Sequence, residues 1–235
     1  MMIKLLEAML RQKGRAEITV TGVSMEPALR EGDRIEVRRG GDYAPGDILV
    51  YPYKGGELLV HRLLKKEGRC FCKGDNAFRL EDVEPEQIFG RVAAVNGVPA
   101  GRWPAWKIDW SYRVNRMFIK CRYDPEKTKQ TEIWRLYRLL ILGKGDETMK
   151  FRKNKKMDYI QADETSLAVF DPESGDTHFF DETGIDILNL LDEPRDLEEL
   201  LKGLCEIYDA PPEEIRGDVQ EFLAEAAEKK VVELL

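Results

Sequence analysis

Histidine is scarce in this 235-residue chain; His61 and His178 are the two it has. Cysteine is scattered, at Cys70, Cys72, Cys121 and Cys205. The spacing in "CFC" is wrong for a zinc knuckle, so no structural metal site is expected, and no cofactor. Strand alternation would put Cys70 and Cys72 on one face, as core residues. No apolar run approaches the roughly 18 residues of a membrane helix. The start "MMIKLLEAMLRQKGRAE" carries charge in its first turns and lacks an apolar signal core and a small-residue cleavage site. It reads as an amphipathic helix of a cytoplasmic protein. Internal repeats and low-complexity tracts are missing as well.

What is present is enough apolar content for a core, 43% of residues, with 34% charged. Charge is divided unevenly. Residues 1–102 carry a net +2, residues 103–156 a net +9 and residues 157–235 a net −18. Such changes of sign mark changes of module. The expected organisation is a domain over 1–102, a basic, aromatic helical connector and linker over 103–156, and a second domain over 157–235. The connector's Trp, Tyr and basic residues invite a nucleic-acid or membrane-surface reading. The stronger reading is a helix whose stripe of Ile133, Leu136 and Leu140 packs on a neighbour. "KFRKNKKMD" reads as linker.

The first module is mostly β. "AEITVTG", "RIEVRR", "GDILVYPY" and "IFGRVAAVNG" read as strands, and "ELLVHRLLKKEGRCFCKGDN" as a hairpin bending at Glu67-Gly68. Between the first two strands lies "VTGVSMEPAL". Ser24 there could be an ordinary N-cap of a short helix starting near Pro27. It could also be a nucleophile, which needs a base to be reactive near neutral pH. His61, ending "ELLVHR", is the module's one histidine, and imidazole can take and return that proton. "KGDNAFRLED" offers Asp75 and Asp82 to orient it, although Gly-Asp-Asn is also a common turn. Lys65, Lys66 and Lys73 are alternative bases, but a catalytic lysine must be desolvated, which the neighbouring charges of "KKEGR" oppose for the first two.

In order, "GVSMEPAL", "GDILV", "HR", "KGDN…D" and "IFGRV" resemble the motifs of the signal peptidase and LexA-type serine peptidases, over roughly residues 17–95. The resemblance implies that Ser24 is the nucleophile. Most bacterial members use a lysine base at the third motif. A histidine there is similar to the archaeal and endoplasmic-reticulum branch, which implies His61 as base and Asp82 as its orienting acid, with Asp75 the alternative. Met25 and Pro27, beside the serine, are expected to touch substrate, and the family implies small side chains on the acyl side of the cut. The membrane anchor of signal peptidases is missing, which points to a cytoplasmic peptide substrate. No Ala-Gly or Cys-Gly pair precedes Ser24 in a linker, which argues against self-cleavage.

Residues 157–235 read as three short strands ("YIQ", "SLAVFD", "THFF") and then three helices. Asp181 and Asp196 stand at N-caps, and prolines open the third helix. This is a winged-helix-like order, but a net of −18 excludes a nucleic-acid partner. "FDETGIDILNLLDEPRDLEELLKGLCEIYDAPPEEIRGDVQEFLAEAAEKKVVE" resembles the PqqD family, the recognition element of ribosomal-peptide (RiPP) modification systems. The resemblance implies that a leader peptide adds to the sheet edge in a groove against the third helix. Thr177, His178, Phe179 and Phe180 on the edge, with Asp218, Phe222 and Glu225 on the helix, are the candidate contacts.

The expected fold class is therefore α+β: a mostly-β signal-peptidase-like catalytic module and a winged-helix-like module of three strands and three helices. The expected function is a soluble serine endopeptidase that binds the leader of a ribosomally made precursor and cleaves it. A RiPP-modifying enzyme is a further partner. The alternative is a non-catalytic leader-binding adaptor for such an enzyme.

Overall fold

The computed structural model describes residues 2–53, 56–120, 124–144, 149–163 and 165–235. Cys121 and parts of the expected connector (121–123 and 145–148) lie outside these residues. The chain is α+β, in two compact units, Met1–Tyr137 and Arg138–Leu235. The residues expected to form a connector are thus divided between the two units. Among the described residues no helix is long and apolar enough to cross a membrane.

The first unit begins with α1 (Met2–Lys13), followed by β1 (Arg15–Thr19), β2 (Arg34–Arg38), β3 (Ile48–Pro52), β4 (Leu58–Glu67), β5 (Arg69–Lys73), β6 (Leu80–Val83), β7 (Gly90–Val95) and β8 (Val98–Pro99). These strands form one antiparallel sheet in the order β1-β2-β7-β3-β4-β5-β6, with β8 on β7. Gly68 turns the β4–β5 hairpin with φ of 71°, a left-handed conformation that glycine adopts freely. Leu6 and Leu10 bury one face of α1 against Ile35, Val37, Val50 and Val92. Tyr51, Leu63, Cys70, Cys72 and Val83 make a second cluster. Both cysteines of "CFC" are core residues on one face, as alternation requires.

The basic, aromatic segment forms α2 (Ala105–Lys120), α3 (Pro125–Lys129) and α4 (Glu132–Leu140). Leu136 and Leu140 are buried and Ile133 is half-buried, so the expected stripe is real. Its aromatics matter more to the first unit. Trp110, Phe118, Trp134 and Tyr137 interlock with Phe78, ring centroids 4.6–6.1 Å apart, and cover the end of β5.

The second unit contains β9 (Phe151–Lys153), β10 (Asp158–Asp163), β11 (Ser166–Phe170), β12 (Thr177–Phe180), α5 (Glu182–Leu190), α6 (Leu197–Tyr208), α7 (Pro212–Glu228) and β13 (Val232–Leu234). β10, β11 and β12 form a three-stranded antiparallel sheet. Asp181 caps α5 by accepting from the Gly184 N–H at 3.0 Å, and Asp196 caps α6 in a box with Glu199. "KFRKNKKMD" is not linker throughout. Its Phe151–Lys153 is β9, paired antiparallel with β13, because apolar Phe151 is fully buried and the strand finds its partner in the last residues of the chain.

Candidate active site

Ser24 sits on the loop joining β1 to β2. The loop is closed at its base by the Val20 N–H donating to Asp33 O and the Gly32 N–H to Val20 O, at 2.8 and 3.0 Å. Met25 and Leu29 plug it into the core, at 2% and 0% exposure. The short helix expected near Pro27 is a run of turns, tied by the Leu29 N–H to Met25 O at 3.0 Å; Pro27 has no N–H to extend it. Ser24 therefore caps no helix, and its hydroxyl is free for another partner.

That partner is His61. It lies on β4, opposite Leu49 of β3, and is 4% exposed. Its Nε2 is 3.1 Å from Ser24 Oγ. Its Nδ1 is 2.9 Å from a carboxylate oxygen of Glu81 and 3.4 Å from the Tyr51 hydroxyl. In the tautomer whose Nδ1–H donates to Glu81, Nε2 is left bare to accept from the serine. Burial pushes the Tyr51 phenol well above its usual range, so it remains a neutral hydroxyl beside this chain.

The acid on His61 is thus neither of the two aspartates singled out from sequence. "LEDV" is the strand β6, with Cys72 opposite Glu81 and Phe71 opposite Asp82. Alternation sends Glu81 to the face of Cys72 and His61, and Asp82 to the other, where it is half-exposed and paired with Arg69. The legible signal was Val83: an apolar residue two beyond Glu81 marks the core face.

Asp75 is fully buried but serves Arg62, accepting from its Nε at 2.9 Å and its Nη2 at 2.7 Å. Arg62 also donates to Gly46 O and lies under the Trp103 ring, 4.2 Å from its centroid. The turn from Gly74 to Asn76 is pinned to the serine loop. The Asn76 N–H donates to Ser24 O at 2.7 Å, its side chain to Val23 O, and the Asp75 N–H to Met25 Sδ. From the other side the Tyr137 hydroxyl donates to Asp75 O at 3.0 Å and Lys73 Nζ to Gly74 O at 3.3 Å. Lys73 is buried in the aromatic cluster, and burial pulls its ammonium down to about 7 against the opposing pull of Asp75 and Glu81. It contacts Tyr137 at 2.9 Å and is bonded neither to Ser24 nor to His61.

Beside Ser24 lies a cleft of about 840 Å³ running to α1, with Met25 in its wall and Pro27 outside it. β4 forms one bank. Its residues Leu58 to His61 pair with β3 on one side, whereas pairing with β5 begins only at Arg62. Among the described residues, that other side of Leu58–His61 has no strand neighbour.

In the second unit, Asp218, Phe222 and Glu225 line a cleft of about 520 Å³ with Asp181, Gly184 and Tyr208. The edge strand β12 borders it. Phe180 meets Phe222, ring centroids 5.7 Å apart, and His178 is half-buried. Thr177 and Phe179 are exposed on the opposite face of the strand, Phe179 at 79%. A Cβ on Gly184 would stand 3.0 Å from that of Phe180, so glycine lets the start of α5 pack closely on the edge strand. Among the described residues no group of His, Cys, Asp and Glu could hold a metal ion.

No curated protein matches the chain. One solved structure, described as "TbiB1 in Complex with the TbiA(beta) Leader Peptide", aligns at 22% identity over 35% of this chain and 94% of that chain, with a TM-score of 0.32. Residues 1–93 match the family described as Peptidase S24-like, and residues 166–232 match Coenzyme PQQ synthesis protein D (PqqD), so the chain joins a stretch similar to the one to a stretch similar to the other.

Proposed function

We propose that this protein is a serine endopeptidase of a ribosomal-peptide maturation pathway. Its second unit would hold the leader of a cytoplasmic precursor while its first unit cuts an amide bond. The observation that carries the reading is the hydrogen-bonded series Ser24–His61–Glu81, at 3.1 and 2.9 Å. His61 takes the hydroxyl proton as Ser24 Oγ attacks the scissile carbonyl, and returns it to the leaving amine as the C–N bond breaks. Glu81 fixes the tautomer and steadies the imidazolium. Water then attacks the acyl-enzyme by the same route in reverse. Backbone N–H groups around Ser24 are the candidate donors to the oxyanion, each worth about 3 kcal/mol.

Substrate binding has a backbone basis in both units. An extended peptide can pair with the side of Leu58–His61 that has no strand neighbour among the described residues, which would deliver its carbonyl toward Ser24. The leader would add to β12, beside the Asp218–Phe222–Glu225 cleft. Tethering of the leader raises the local concentration of the scissile segment, into the mM range for a short span. The adaptor alternative gives up the first unit's chemistry and keeps the second's binding.

The test is a serine-directed phosphonate on the full chain. Ser24 should be labelled in the native protein, with labelling abolished in Ser24→Ala and at least about 100-fold slower in His61→Ala. Folded protein that binds a leader peptide but never takes the label is an adaptor.

A further inference from the structure

The cleft beside Ser24 is built partly by a helix, and this bears on what it can accept. Leu6 and Leu10 anchor α1 in the core. The adjoining face then presents Leu5, 62% exposed, and half-buried Met9 to the cleft. Opposite them stand Ile18 from β1 and Leu58 and Val60 from β4. The space is about 840 Å³. That is the upper end of the roughly 300–1,000 Å³ typical of pockets that enclose drug-sized ligands. The peptide main chain fills part of this space, and an alanine methyl would leave much of the remaining apolar surface in water. A branched or thioether side chain would cover them, and methionine in the wall adapts to irregular shapes.

We propose that the acyl side of the substrate carries bulky apolar residues, and that α1 sets this preference through Met9 and Leu5. The inference rests on the endopeptidase reading and refines it, because it replaces the small residues that family resemblance implies. In an extended peptide the residue supplying the scissile carbonyl and the one two positions before it face the same way. Both are therefore candidates for the cleft, and a peptide with Leu, Met or Phe at either fits the class.

Three tripeptidyl diphenyl phosphonates test this on the full chain: Ala-Ala-Ala, Leu-Ala-Ala and Ala-Ala-Leu, the last residue in each carrying phosphorus. At least one leucine probe should label Ser24 about tenfold faster than the all-alanine probe, or more. Met9→Trp fills the cleft and should shrink that ratio severalfold. Leu5→Ala removes an exposed side chain, leaves folding intact and should lower the ratio as well. Equal or faster labelling by the all-alanine probe overturns the inference and leaves the peptidase reading standing. A leucine advantage unchanged in both variants overturns the role of α1. Failure of all three probes on folded protein removes the peptidase reading and this inference with it.

Discussion

A carboxylate oxygen of Glu81 lies 2.9 Å from Nδ1 of His61, while the next residue, Asp82, turns away to Arg69. Two adjacent acids on one strand therefore have separate duties. Glu81→Gln should slow phosphonate labelling of Ser24 by up to about 10⁴-fold, because a glutamine can stabilise the wrong imidazole tautomer. Asp82→Asn breaks a half-exposed ion pair and should change the rate less than about threefold. Comparable losses in the two variants would reassign the acid.

Gly74 is the point where serine, histidine and turn meet. A Cβ there would stand 2.9 Å from His61 Nε2 and 2.7 Å from Ser24 O. Gly74→Ala must push one of them aside. Labelling should fall at least about 100-fold, since misplacement of about 1 Å costs that much. Thermal unfolding and circular dichroism should show the variant folded. Labelling at the native rate would mean that the turn yields without moving the pair.

The Arg62–Asp75 pair is a structural element with no access to substrate. Both side chains are about 1% exposed. Asp75→Ala leaves a buried guanidinium unpaired and should cost about 3–5 kcal/mol in urea unfolding. Arg62→Met with Asp75→Leu should cost clearly less than Asp75→Ala alone, because no charge is stranded. A double variant as unstable as the single one would contradict this account.

Lys73 predicts a pH dependence of stability. Its ammonium is held at about 7 in the fold, from an ordinary 10.5. Between those values the unfolded chain binds the proton more strongly, so stability rises with pH across this window. At and below about pH 7 the lysine contributes a burial penalty that remains in full. Lys73→Met removes the group. The difference in unfolding free energy between native protein and variant should shift toward the native protein as pH goes from 6.5 to 9.5. A flat difference would mean that Lys73 titrates alike in both states.

Much of this was legible in the chain. The β1 to β5 strands, the Gly68 bend, the three strands and three helices of the second unit and both aspartate caps follow from alternation, apolar spacing and turn chemistry. The approach of Ser24 to His61 was legible through motif order. Glu81 was not, because β6 is four residues long and its acids look like loop acids until the strand's phase is known. β9 was hidden for a related reason. Phe151 is the one apolar residue in "KFRKNKK", and its strand is specified by a partner about 80 positions away. The role of the aromatic helices escaped too, since the closure of Tyr137 on Asp75 and Lys73 is a tertiary event without local signature.

The pairing of β9 with β13 carries one more consequence. Phe151 lies opposite Leu234, so two segments of the second unit about 80 positions apart are joined side by side. A body whose early and late segments are joined in this way can be moved to another host protein without severing that pairing.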